Sequence, residues 1–271
     1  MKLLLLVFVI ALVVSVDTAR PRCCMQSKVS VTYEGPGRVV LGEPVVVRVT
    51  ITNESSEAVT FTDRARNDFS VAITSPDGSE PNAKFEAYNG ISPMRRVTLE
   101  AGQTYLRRVL LNYWFDFDQP GTYQIRIGLR DPRTLKELLV LKPAESQIPI
   151  EVLPRDEKAL QRTCGELVSQ ITDSTRVPDE RWQAALELSF VKDPAAVPYL
   201  VRALKEDLPR ASFALRGLEK VGNEEAVSAL IDAAQYKSPF PWDEALSSLT
   251  RLEPRVTNPA LKEKIHSLIK K

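Results

Sequence analysis

The sequence predicts a multidomain chain, all-β and then all-α: an antiparallel β-sandwich over residues 28–153, followed by a short α-solenoid over residues 179–271. Three observations predict this order. Apolar residues alternate with a period of two from Lys28 to about Pro154, and Gly and Pro punctuate that half at short intervals. After Pro154 the apolar period becomes helical, and a unit of about 30 residues repeats.

The chain opens with MKLLLLVFVIALVVSVDTA, in which Lys2 precedes an apolar run from Leu3 to Val14 and small residues follow. This is the pattern of a secretory signal peptide, and the run is shorter than the roughly 18 apolar residues that a membrane helix needs. Cleavage after Ser15 and after Ala19 both fit; residues 1–19 are taken as the signal peptide. The expected location is secreted or periplasmic, with no membrane span in the mature chain, although an uncleaved leader would leave it anchored. Residues 20–27 read as a flexible tail, and Arg22 disfavours lipid attachment at Cys23. Cys23 and Cys24 are adjacent, so they lack the spacing of a C-x-x-C redox pair. They could link two chains, bond to each other, or oxidise incidentally.

In the first half, Val45, Val47, Val49 and Ile51 share one face of a strand, as do Phe69, Val71 and Ile73, and again Tyr123, Ile125, Ile127 and Leu129. Turn residues separate these runs at Gly35-Pro36-Gly37, Gly42-Glu43-Pro44, Pro76-Asp77-Gly78, Ala101-Gly102 and Gln119-Pro120-Gly121. The stretch from Asp116 to Tyr123 resembles the turn before a late strand of immunoglobulin-like domains. That resemblance implies a tyrosine corner, with the Tyr123 hydroxyl folded back onto upstream backbone. The segments around LGEPVVVRVTITN and AGQTYLRRVLL are also similar to small bacterial immunoglobulin-like modules of exported and inhibitor proteins.

In the second half, Val197, Leu200, Val201 and Leu204 form a helical stripe that recurs as Val227, Leu230, Ile231 and Ala234. Trp182, Ala185 and Leu186 correspond to Ala211, Ala214 and Leu215, and these to Trp242, Ala245 and Leu246, giving three helix pairs in register. Asp193-Pro194, Asn223 and Asn258-Pro259 stand where each second helix begins, as capping residues do. These segments closely resemble HEAT-like, armadillo-type repeats of the short bacterial kind. Lys262 and Lys264 depart from the stripe as a solvated terminal cap requires. Residues 154–178 are expected to supply a capping helix carrying Leu160, Cys164, Leu167 and Ile171 on one face, and then a loop.

Lys and Arg number 36 against 35 Asp and Glu, so net charge selects neither nucleic acid nor an anionic membrane, and no nucleic-acid partner is expected. His266 is the only histidine, which removes multi-imidazole metal centres and leaves a serine triad without a marked nucleophile. Cys164 lies on an apolar stripe, where a thiol behaves as a small hydrophobe. Asp116 and Asp118 could offer oxygens to Ca²⁺, but a solvated turn is the simpler reading. The Arg95-Arg96 and Arg107-Arg108 pairs read as ordinary strand surface, and Asn53-Glu54-Ser55 matches the glycosylation sequon. No residue is assigned as catalytic, cofactor-binding or metal-binding, no cofactor is expected, and no enzyme activity. Arg202, Lys205 and Arg216 are expected to face solvent.

The expected function is an exported scaffold that docks a protein or peptide partner through the solenoid, with the sandwich as spacer or second contact. Two alternatives stand beside it. One is an extracytoplasmic protease inhibitor presenting the Ser79–Pro93 loop. The other is a lyase-type enzyme, because related short HEAT-like repeats are named after tetrapyrrole lyases.

Overall fold

The computed structural model describes residues 28–63, 68–84, 95–129, 139–140, 145–206, 210–235 and 239–270. The expected signal peptide, the tail with Cys23 and Cys24, and residues 85–93 of the Ser79–Pro93 loop lie outside the described residues.

The β half contains β1 (Lys28–Glu34), β2 (Arg38–Val40), β3 (Val46–Asn53), β4 (Val59–Asp63), β5 (Phe69–Thr74), β6 (Arg95–Leu99), β7 (Thr104–Leu110), β8 (Gly121–Leu129), β9 (Leu139–Val140) and β10 (Glu145–Leu153). One sheet has the order β7-β3-β1-β9, a second β2-β10-β8-β5, and β4 pairs with β6 in a two-stranded ribbon. Strands adjacent in sequence thus lie in different sheets, while β3 reaches β7 and β8 sits between β5 and β10, as in an immunoglobulin-like sandwich. The alternation supplies the core: Val45, Val47, Val49 and Ile51 from one sheet meet Tyr123, Ile125, Ile127 and Ile150 from the other, all buried.

The sandwich is not wholly antiparallel. β2 runs parallel to β10, and β9 parallel to β1. A parallel neighbour needs no crossover helix here because the first strand divides between the two sheets: the chain leaves β1, turns through Gly35–Gly37, and joins the opposite sheet as β2. The tyrosine corner forms as expected. The Tyr123 hydroxyl donates to the Gln119 carbonyl at 3.2 Å, and its ring lies edge-on to Phe117 at 5.0 Å.

Asn53 has a different role from the one its sequon suggests. It is fully buried, and its amide nitrogen donates both hydrogens inward, to Glu57 O at 2.8 Å and Leu99 O at 2.9 Å. Its oxygen accepts from the Ser55 amide and hydroxyl. The side chain therefore fastens the bend between β3 and β4 and is closed to glycosylation in the folded state. Asn53→Ala orphans two carbonyls and is expected to lower stability by about 2 kcal/mol, measured by urea denaturation.

The helical half contains α1 (Glu157–Thr172), α2 (Pro178–Leu188), α3 (Val197–Glu206), α4 (Ala211–Val221), α5 (Glu224–Gln235), α6 (Pro239–Leu252) and α7 (Pro259–Ile269). α1, α3, α5 and α7 stack in one row, and α2, α4 and α6 in a second row against it. The starts are capped as the sequence implies. Asp193 accepts from the Ala195 amide at 2.9 Å, Asn223 from Ala226 at 2.9 Å, and Asn258 from Ala260 at 3.1 Å. The repeated stripes line the seam between the rows, with Leu200 and Leu230 fully buried.

Candidate functional site

Three residues, Pro154 to Asp156, separate the last residue of β10 from the first of α1. Both sides of this short connection are fastened. Arg155 forms a bidentate pair with Asp193, Nε to Oδ2 at 2.6 Å and Nη2 to Oδ1 at 3.0 Å, while Asp193 also caps the turn before α3. The hydrogen bonds from Arg155 hold the Asp193 carboxyl below the usual carboxylate range. Glu43, in the turn after β2, accepts from the Val40 amide with one oxygen at 2.7 Å and from the Thr163 hydroxyl with the other at 2.5 Å.

Further along the junction, Arg108 on β7 donates to Glu187 on α2 at 2.5 Å, and Gln183 donates to the other Glu187 oxygen at 2.9 Å. Glu187 is only 2% exposed, and its burial raises the carboxyl pKa despite the opposing pull of Arg108. Lys192 bridges back to Asp116 at 2.6 Å, Arg95 to Asp179 at 2.5 Å, and Tyr113 meets Phe190 edge-on at 4.8 Å. The Lys220 ammonium lies 3.1 Å from the centre of the Phe190 ring.

The residues considered for chemistry have the following partners in the structure. His266 is exposed on α7 and meets Glu253 at 2.9 Å. Asp116, weighed as a calcium ligand, is shared between Lys84 and Lys192. Among the described residues, no group of three or more His, Cys, Asp and Glu side chains is placed to hold a metal ion. Of the arginine pairs on the strands, Arg95, Arg107 and Arg108 meet Asp179, Asp63 and Glu187. Arg202 and Lys205 face solvent as expected, whereas Arg216 is half-buried against Glu244.

Cys164 is fully buried on α1, and burial pushes its thiol up to about 12. It should resist a thiol reagent at pH 8 in the native protein and react on unfolding, as peptide mass mapping would show.

Sequence reasoning missed Glu187 and Arg155. Glu187 stands next to Leu188 on the buried side of α2, and a carboxylate in an apolar stripe signals a buried partner. Nothing local pointed to Arg108, which lies 79 residues away. The outer surface of the solenoid carries one exposed aromatic among its described side chains: Trp182, 45% exposed, with its ring edge-on to Phe213 at 4.7 Å. Val177, just before α2, is 58% exposed.

The strand pairing and the helix rows define a two-module protein, an immunoglobulin-like sandwich joined to an α-solenoid. Residues 36–132 match the family described as flagellar collar protein C, N-terminal domain. The chain is 32% identical over 101 residues to the bilin biosynthesis protein PecE of Mastigocladus laminosus, a match that spans 35% of this chain and 38% of the relative. Among solved structures, the CARDB domain of a Pyrococcus furiosus protein, crystallised with di-metal ions, aligns with a TM-score of 0.31 and 15% identity. That alignment covers 48% of this chain and 97% of the domain. A β-glucosidase from Listeria innocua aligns with a TM-score of 0.27 and 18% identity, over 47% of this chain and 16% of the enzyme.

Proposed function

We propose that the protein is an exported, non-catalytic scaffold that docks a protein partner through its helical repeats, as a component of a cell-envelope assembly. The observation that carries this reading is the solenoid itself: two stacked helix rows bury their shared seam and leave outer faces that present side chains at a regular pitch. Trp182 is the anchor on offer, a large amphipathic side chain of the kind that dominates protein contacts. The match of residues 36–132 to a domain named for a flagellar collar protein supports an assembly component over a free-standing enzyme.

The test is in-cell cross-linking of the full chain, with captured proteins identified by mass spectrometry, beside a Trp182→Ala variant of the same chain. A specific partner that is retained by the wild type and lost by the variant supports docking on α2. Equal capture by both excludes Trp182 as the anchor, and no specific capture by either overturns the scaffold reading.

The alternative of a lyase-type enzyme has only the partial similarity to the bilin biosynthesis protein PecE behind it and is not favoured. Tetrapyrrole absorption in the purified protein, or its appearance on mixing with a bilin, would support that role; unchanged spectra would remove it.

A further inference from the structure

The two ends of the solenoid are closed in different ways. At the far end stands α7, with Ile265 buried inward and Glu263, Lys264 and Lys270 exposed, a polar outer face of the kind that terminates a helix stack. At the near end stands α1, which belongs to the same row as α3, α5 and α7. Each later member of that row follows a partner helix of the other row, but α1 follows a strand: the chain passes from β10 into α1 through Pro154, Arg155 and Asp156. Yet the apolar face of α1 is as dry as any in the stack, with Leu160, Cys164, Val168 and Ile171 fully buried.

Part of that cover comes from the sandwich. Val40 of β2 is a member of the helical core, and Leu153 at the end of β10 packs against it. Gly42 turns with φ +99°, and a Cβ built on it would stand 3.5 Å from Leu160 Cδ2 and 3.6 Å from Asp193 Cβ. These are ordinary van der Waals distances, so the turn lies directly on α1, and it is the backbone conformation, strained for any other residue, that calls for glycine. Glu43 then fixes the contact by bridging the Val40 amide and the Thr163 hydroxyl.

We propose that the β2 corner and the end of β10 form the N-terminal cap of the solenoid, standing in for the missing partner helix of α1. The sandwich is then no swinging spacer; its β2 corner belongs to the core of the first helices, and it holds a fixed orientation on them. This stands whether or not the solenoid docks a partner.

Hydrogen exchange on the full chain, read by peptide, tests it. Val40→Asp places a charge in the shared core and should raise exchange in α1 and α3 by at least about tenfold while β3 and β8 keep their protection. Leu160→Ala, made on the helical side, should loosen residues 38–43 together with α1. Should Val40→Asp unfold the sandwich, Val40→Ala is read in the same way. A rise confined to residues 38–43 in the Val40 variant, with α1 unchanged, overturns the proposal, as does a Leu160→Ala variant in which β2 keeps its protection.

Discussion

Arg108→Ala is expected to lower the unfolding free energy by about 3–5 kcal/mol, whereas Glu187→Gln should change it by about 1 kcal/mol or less. The asymmetry follows from burial. Glu187 is 2% exposed, so removing its cation strands a carboxylate in a dry site, with only Gln183 left to donate to it. The amide of Gln keeps the shape, carries no charge to desolvate, and still offers an oxygen to Arg108.

The pH dependence has a defined sign. The Glu187 pKa is raised above its ordinary value, so the folded state holds this proton more tightly than the unfolded state does. Its contribution is most favourable at pH below the ordinary carboxylate range and is lost as pH rises through the raised value. Glu187→Gln removes that loss. Asp193 runs the other way: Arg155 depresses its pKa, so its contribution is present above the ordinary range and is lost as pH falls through the depressed value. Denaturant titrations of the wild type and Glu187→Gln from pH 4 to 8 check both the magnitude and the sign. Equal costs for Arg108→Ala and Glu187→Gln would show that the pair is not desolvated.

Leu200→Ala should cost about 2–5 kcal/mol, the range for a large-to-small change at a fully buried site. The pocket is closely fitted. Gly217 on α4 faces Leu200, and a Cβ built there would stand 2.5 Å from Leu200 Cδ2 and 3.2 Å from the Ser189 Cα. Gly217→Ala alone should therefore destabilise despite the better helix propensity of Ala. In the Leu200→Ala background its clash with Leu200 is gone and it refills part of the cavity. The double mutant should be more stable than the sum of the single changes by at least about 0.5 kcal/mol. Thermal and urea unfolding of the four proteins measure the coupling; additivity would show that the two side chains do not share a cavity.

Much of the fold was legible in the sequence because it is set by period and by local chemistry. Alternation placed Val45, Val47 and Val49 on the core face, and the 30-residue repeat aligned Leu200 with Leu230. The caps at Asp193, Asn223 and Asn258 act within three residues of their own backbone, so their meaning is local. The tyrosine corner spans four residues and was legible for the same reason.

Tertiary structure alone decided the rest. The division of the first strand between two sheets depends on pairing with β10, more than a hundred residues away, and no local period encodes it. Asn53 reads as a glycosylation site in sequence and is a buried fastener in three dimensions, because its partner Leu99 O arrives from a distant strand. The junction is the plainest case. Glu43 with Thr163, Arg108 with Glu187, and Arg155 with Asp193 join residues 120, 79 and 38 positions apart. Each side chain taken singly is an ordinary polar residue, and only the approach of the two modules makes it a contact. Sequence periodicity determines which face of an element is dry; which distant surface covers that face is decided by packing.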